Sequence, residues 1–156
     1  MAVAYQSVAT AQGSATCNKP SGVANGDLMI AHVAVYDNTG VTVSPPSGWT
    51  LLRGPTRNNG FFNMTAYTFY KVAGGSEPSS YTFTPSPSEY IDVAITRWTG
   101  HDAADPIDAG HTGATGNSTT RTATGFDVAV AGSMLVMFSI AYTNAASATP
   151  PSGMTL

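Results

Sequence analysis

Leu28 to Tyr36 reads Leu-Met-Ile-Ala-His-Val-Ala-Val-Tyr and is apolar on both sides of an extended chain: Leu28, Ile30 and Ala34 on one, Met29, Val33 and Val35 on the other. A strand covered on both faces belongs at the centre of a sheet. In Tyr90 to Trp98 the residues Ile91, Val93 and Ile95 alternate with Asp92, Ala94 and Thr96, as expected for a strand with one face in a core and one toward water. Its expected partner is Phe62 to Val72. There Phe62, Met64, Ala66 and Tyr70 share one face and Phe61, Tyr67 and Phe69 the other, so the outward face also meets something. Helical periodicity is nearly absent, and short β-rich runs alternate with Gly/Pro/Ser clusters. We expect strands near 3–10, 14–18, 28–36, 49–54, 61–72, 80–84, 90–99, 118–124 and 133–142, in an all-β, jelly-roll-like antiparallel β-sandwich.

Part of this layout occurs twice. Gly26-Asp27-Leu28-Met29-Ile30-Ala31-His32-Val33-Ala34-Val35-Tyr36 returns as Gly132-Ser133-Met134-Leu135-Val136-Met137-Phe138-Ser139-Ile140-Ala141-Tyr142. Pro45-Pro46-Ser47-Gly48-Trp49-Thr50-Leu51 returns as Pro150-Pro151-Ser152-Gly153-Met154-Thr155-Leu156. Each unit, near 26–51 and 132–156, is a glycine turn, a strand, a loop and a Pro-Pro-Ser-Gly turn that launches another strand. A strand pair cannot bury its apolar face alone, so the repeat is a structural device of a single domain over 1–156. The second copy stops as its last strand begins, and no charge follows Asp127 to guard that edge. The expectation is that the polypeptide continues past Leu156, or that a neighbouring subunit supplies the strand.

Composition narrows the function. Only 10% of the 156 residues are charged, against roughly 25% in an ordinary soluble domain, and Thr, Ser, Gly, Ala and Asn supply the surface instead. The net charge is −3, and Lys19, Arg53, Arg57, Lys71, Arg97 and Arg121 are scattered, which argues against nucleic acid as a partner. Cys17 is the single cysteine, so an intrachain disulfide and a cysteine metal cage are both excluded. Residues 1–6 lack the features of a secretory signal, and no apolar run reaches the ~18 residues that cross a bilayer. An extracellular protein released by lysis fits these features.

The densest polar stretch is His101-Asp102-Ala103-Ala104-Asp105-Pro106-Ile107-Asp108-Ala109-Gly110-His111. Its spacing is neither that of an EF-hand nor that of a helical zinc site, so it is read as turn chemistry, with no metal or other cofactor expected. The carboxylates sit in turns or on a strand face, and no Gly-x-Ser-x-Gly elbow is present, so no catalytic residue is assigned. His32 reads as a hydrogen-bonded core histidine. The sequons at Asn63 and Asn117 read as chance matches.

Trp49 pairs with Met154 across the repeat, an exchange that keeps core volume and loses a sugar-stacking platform, so Trp49 is read as core. Gly48, Trp49, Gly153 and Met154 are thus the structural turn and core residues. Phe61, Tyr67, Phe69 and Trp98 remain as the candidate interaction surface, for a glycan or for another subunit.

Lys19-Pro20-Ser21-Gly22-Val23, Gly26-Asp27-Leu28-Met29-Ile30-Ala31, Pro46-Ser47-Gly48-Trp49-Thr50-Leu51, Tyr70-Lys71-Val72-Ala73 with Ser76-Glu77-Pro78, Tyr81-Thr82-Phe83, and Arg97-Trp98-Thr99-Gly100 with Asp102 and Pro106-Ile107-Asp108 carry a resemblance. Their succession resembles a β-sandwich module of phage virion proteins, tail-fibre-like or head-decoration-like, also met in some bacterial surface proteins. The resemblance implies a structural protein on the virion surface, a homo-oligomer among other virion proteins, with no catalytic residues and no membrane insertion. A carbohydrate-binding module for host attachment is the alternative, and a glycan-degrading enzyme ranks last.

Overall fold

The structure, a computed structural model, describes residues 2–36, 40–59, 63–108, 115 and 131–140. Nine strands occur among them: β1 (Ala4–Ala11), β2 (Thr16–Asn18), β3 (Leu28–Tyr36), β4 (Thr42–Ser44), β5 (Thr50–Asn59), β6 (Asn63–Val72), β7 (Ser80–Thr82), β8 (Thr84–Ser86) and β9 (Tyr90–Thr99). Five form one sheet in the order β1-β9-β3-β6-β5, and two ribbons, β2-β7 and β4-β8, complete the strand pairing. All the pairings are antiparallel. The class is all-β and sandwich-like, with the five-stranded sheet packed against the ribbons.

β3 is the centre of the large sheet because both its neighbours can bury it. Met29, Ala31, Val33 and Val35 face inward with Tyr67 and Phe69 of β6 and Ile91, Val93 and Ile95 of β9. Cys17, Val43, Trp49, Tyr81 and Phe83 close this core from the other side. Phe69 and Phe83 are 1% and 0% exposed and their rings lie 5.5 Å apart, which ties the two layers together. Tyr67 buries its hydroxyl by donating to the Val41 carbonyl at 2.8 Å, so the core pays no unsatisfied phenol there.

Several expectations need correction. β6 does not neighbour β9; β3 lies between them, as its two apolar faces require. The run expected at 80–84 divides: β7 pairs with β2, β8 pairs with β4, and Phe83 is buried where the chain passes from one ribbon to the other. β4 leaves no signal in the sequence, because three residues before Pro45-Pro46 are too short to show periodicity. β5 runs on through Gly54-Pro55 to Asn59, which an edge strand tolerates because one side of its ladder is open.

Of the expected strand 133–142, residues 133–140 are described and belong to none of the nine strands. Gly26 and Gly132 each have a positive φ, +88° and +89°. The expected strand 118–124, and Gly153 and Met154, lie outside the described residues.

Gly54 is a second position that requires glycine. Its φ is +132°, and a Cβ there would sit 2.7 Å from the Tyr67 ring and 2.9 Å from the Ala66 carbonyl oxygen. Gly54→Ala is therefore expected to cost about 2–3 kcal/mol in urea melts, whereas an alanine at an open exposed glycine would cost little.

Candidate functional site

The alternation that sends Met29, Val33 and Val35 inward sends Leu28, Ile30, His32 and Ala34 to the opposite, outer face of the sheet. In register beside them stand Trp98, Thr96, Ala94 and Asp92 on β9, and Val72, Tyr70, Thr68 and Ala66 on β6. Leu28, Ile30 and Trp98 form a second apolar cluster, against which Val3, Tyr70, Val72, Ile107, Val136 and Phe138 pack. The 131–140 segment thus lies over part of this face. Phe138 stacks on His32 with centroids 4.8 Å apart and planes 7° from parallel.

The middle of the face carries small side chains, and a groove of about 400 Å³ opens there between Thr10, Gln12, Asp92 and Ala94 on one side and Ser139 and Ile140 on the other, with His32 and Ala34 among its lining. Asp92 accepts the Gly13 amide at 2.8 Å. His32 Nδ1 lies 3.1 Å from the Thr68 hydroxyl, while Nε2 is buried without a partner. Burial lowers the His32 pKa from 6.5 to about 4, because the imidazolium would lose its hydration.

That shift has a sign. On acidification the unfolded chain takes up the His32 proton first, so stability is full above the unfolded pKa and falls as pH drops toward 4. By about pH 5 the loss should be about 2 kcal/mol, read as the difference between urea melts at about pH 7.5 and pH 5. His32→Leu should remove that part of the drop; an unchanged drop would place the imidazole in water.

No protein-family model, curated protein or solved structure matches the chain. What its polar residues do is read from their contacts.

Two ion pairs fasten turns to strands. Arg97 Nε donates to Asp27 Oδ2 at 2.7 Å, and the same oxygen accepts the Ala24 amide at 2.8 Å, closing the turn that launches β3. Lys71 Nζ lies 2.7 Å from Glu77 Oε2, which also accepts the Tyr81 hydroxyl at 2.7 Å, while Glu77 Oε1 accepts the Gly74 amide. Burial pushes the Glu77 carboxyl up, but the hydrogen bonds from Lys71, Tyr81 and Gly74 and the Lys71 charge outweigh it, and its pKa lies below the ordinary value. Burial, and then Glu77, hold the Tyr81 phenol well above its usual range. Asp102 accepts the Ala104 amide at 2.8 Å, an Asx turn. Among the described residues no three His, Cys, Asp or Glu side chains group as a metal site.

The expected aromatic surface is corrected. Tyr67 and Phe69 face the inner core at 5% and 1% exposure, because the ribbons cover that face of β6. Trp98 is 7% exposed, donates its indole N–H to Thr96 Oγ1 at 2.8 Å and meets the Tyr5 ring edge to face. Phe61 lies outside the described residues. Trp49 is buried, with its ring edge-on to Tyr81 and Phe83. Gly48, at φ +83°, brings the preceding turn against the Lys71 side chain. Among the described residues the exposed large apolar side chains are instead Tyr5, Val8, Leu51, Tyr90, Met134, Leu135 and Met137. Simple alternation within β1 would set Tyr5 and Val8 on opposite faces; the register shift between Tyr5 and Ser7 exposes both, and nothing local flags Leu51.

Proposed function

We propose that the chain is a structural, non-catalytic module displayed on the surface of a phage virion, as a capsid decoration subunit or a tail-fibre segment, and assembled as a homo-oligomer with other virion proteins as neighbours. The observation that carries this reading is the use of its charged groups. Asp27 with Arg97, and Glu77 with Lys71 and Tyr81, are committed to holding turns against the sheet. These residues lie within the motifs that carry the resemblance to virion modules, which supports reading those motifs as clamps of a scaffold. The low charge and the Thr/Ser/Gly-rich coat suit an extracellular particle. Mass spectrometry of gradient-purified particles from the phage that encodes the chain tests the reading. Recovery of the chain with the particles supports it, and recovery only in the soluble lysate contradicts it.

The groove on the outer face favours a second reading, attachment to a host-surface glycan. Thr10, Gln12, Asp92 and Ser139 offer hydroxyl, amide and carboxylate groups around a floor of small side chains, which suits a sugar's hydroxyls. A glycan array decides it: binding that Ala94→Leu abolishes supports attachment there, and an empty array leaves the scaffold role alone.

A further inference from the structure

We propose that residues 133–140 are an acid-released cover: protonation of His32 lifts the segment from the outer face of the sheet and bares the Leu28, Ile30 and Trp98 cluster beneath it. The segment is fastened there by few means. It belongs to none of the nine strands, so no strand ladder holds it. Val136 and Phe138 pack on the cluster, while Met134, Leu135 and Met137 stay in solvent. A segment with few buried contacts and no ladder opens locally, ahead of the fold as a whole.

His32 lies directly under the cover. Phe138 is stacked on its ring with centroids 4.8 Å apart and planes 7° from parallel, which closes that side to water. Nδ1 is 3.1 Å from the Thr68 hydroxyl, and Nε2 is buried with no hydrogen-bond partner among the described residues. A neutral imidazole tolerates this arrangement by keeping Nε2 as a bare acceptor. The imidazolium is a donor at both nitrogens, so under the cover it would bury an N–H without an acceptor and a charge without hydration.

The groups around His32 do not offset that cost. β6 sets Thr68 beside it, between Ala66 and Tyr70, and β9 sets Ala94 beside it, between Asp92 and Thr96. β1 brings Thr10 and Gln12 to the same groove, and the cover brings Ser139 and Ile140. Asp92 is the one charged residue of that lining; it stands in register with Ala34, and its Oδ1 is engaged by the Gly13 amide at 2.8 Å. Burial accordingly lowers the His32 pKa from 6.5 to about 4 while the cover is down. Lifting the cover returns the ring to water and to its ordinary affinity for a proton, so acid favours the lifted form.

Thiol labelling of the 156-residue chain tests this, with Val136→Cys as the reporter beneath the cover. The native Cys17, 0% exposed in the inner core, reports opening of the whole fold. Each rate is divided by that of an unfolded cysteine peptide at the same pH, which removes the reagent's own pH dependence. From about pH 7.5 to about pH 5 the corrected rate of the introduced thiol should rise about 20- to 30-fold, as a His32 pKa of about 4 under the cover and 6.5 in water requires. It should stay above the rate of Cys17 throughout. His32→Leu in the same background should abolish the rise. Should Val136→Cys melt early, Ile30→Cys, 7% exposed on the sheet side of the cluster, reports the same event. A rise that His32→Leu abolishes supports the cover. A rate that ignores pH, a rise that survives His32→Leu, or labelling no faster than that of Cys17 would overturn it.

Discussion

Trp49→Ala is expected to lose about 3–5 kcal/mol in urea melts, the cost of a large ring removed from a packed core. Trp49 is 7% exposed and its ring contacts Tyr81 and Phe83 edge to face, with centroids 5.1 and 5.4 Å away. Those two side chains hang from the β7–β8 passage, so the cavity would open where the ribbons meet the sheet. The indole N–H is buried without an acceptor, so no hydrogen bond is lost with it. Trp49→Phe and Trp49→Met are therefore expected to cost only about 1–2 kcal/mol, since they keep most of the volume and remove an unsatisfied donor. Equal losses for alanine and phenylalanine would show that indole-specific contacts, and not volume, hold this corner.

The second large effect belongs to Asp27. Its carboxylate closes the 24–27 turn on the Ala24 amide, and its own backbone carbonyl accepts from Ala73, the residue after β6. Removing the carboxylate strands the Arg97 guanidinium, whose side chain is 18% exposed, and uncaps the turn as well. Breaking a fully buried pair costs about 3–5 kcal/mol; with some solvent at both groups, Asp27→Ala is expected to cost about 2–4 kcal/mol. Arg97→Met should cost less, because it leaves no unpaired guanidinium and keeps an apolar stem against the sheet. A double mutant less damaged than the sum of the singles would show that the two act as a unit.

The fold was legible where burial imposes a period. Leu28 to Tyr36 announced a central strand through apolar residues on both faces, and Ile91, Val93 and Ile95 announced the inward face of β9. Pairing was less legible. Whether 62–72 sits beside 90–99 or is separated from it by β3 depends on contacts across more than twenty residues, which local periodicity does not encode.

The candidate surface failed for a related reason. Tyr67 and Phe69 look the same in sequence whether their face meets solvent or a second layer, and here the ribbons cover them. The clamps were present as Asp27, Lys71, Glu77 and Arg97, yet which acid meets which base follows from register. Lys71 stands opposite Met29, and Arg97 stands opposite the same residue from the other side, so both bases enter the inner face of β3 near its turn. The groove was invisible because Ala34, Ala94 and Asp92 are unremarkable until two strands align them.

The central claim is that this chain is a rigid β scaffold repeated on the surface of a particle. Cryo-electron microscopy of virus particles purified from a culture that produces the chain tests that proposal most directly. The account predicts surface density in symmetry-related copies, each fitted by the five-stranded sheet β1-β9-β3-β6-β5 backed by its two ribbons. A particle on whose capsid and tail no such density is found would contradict it.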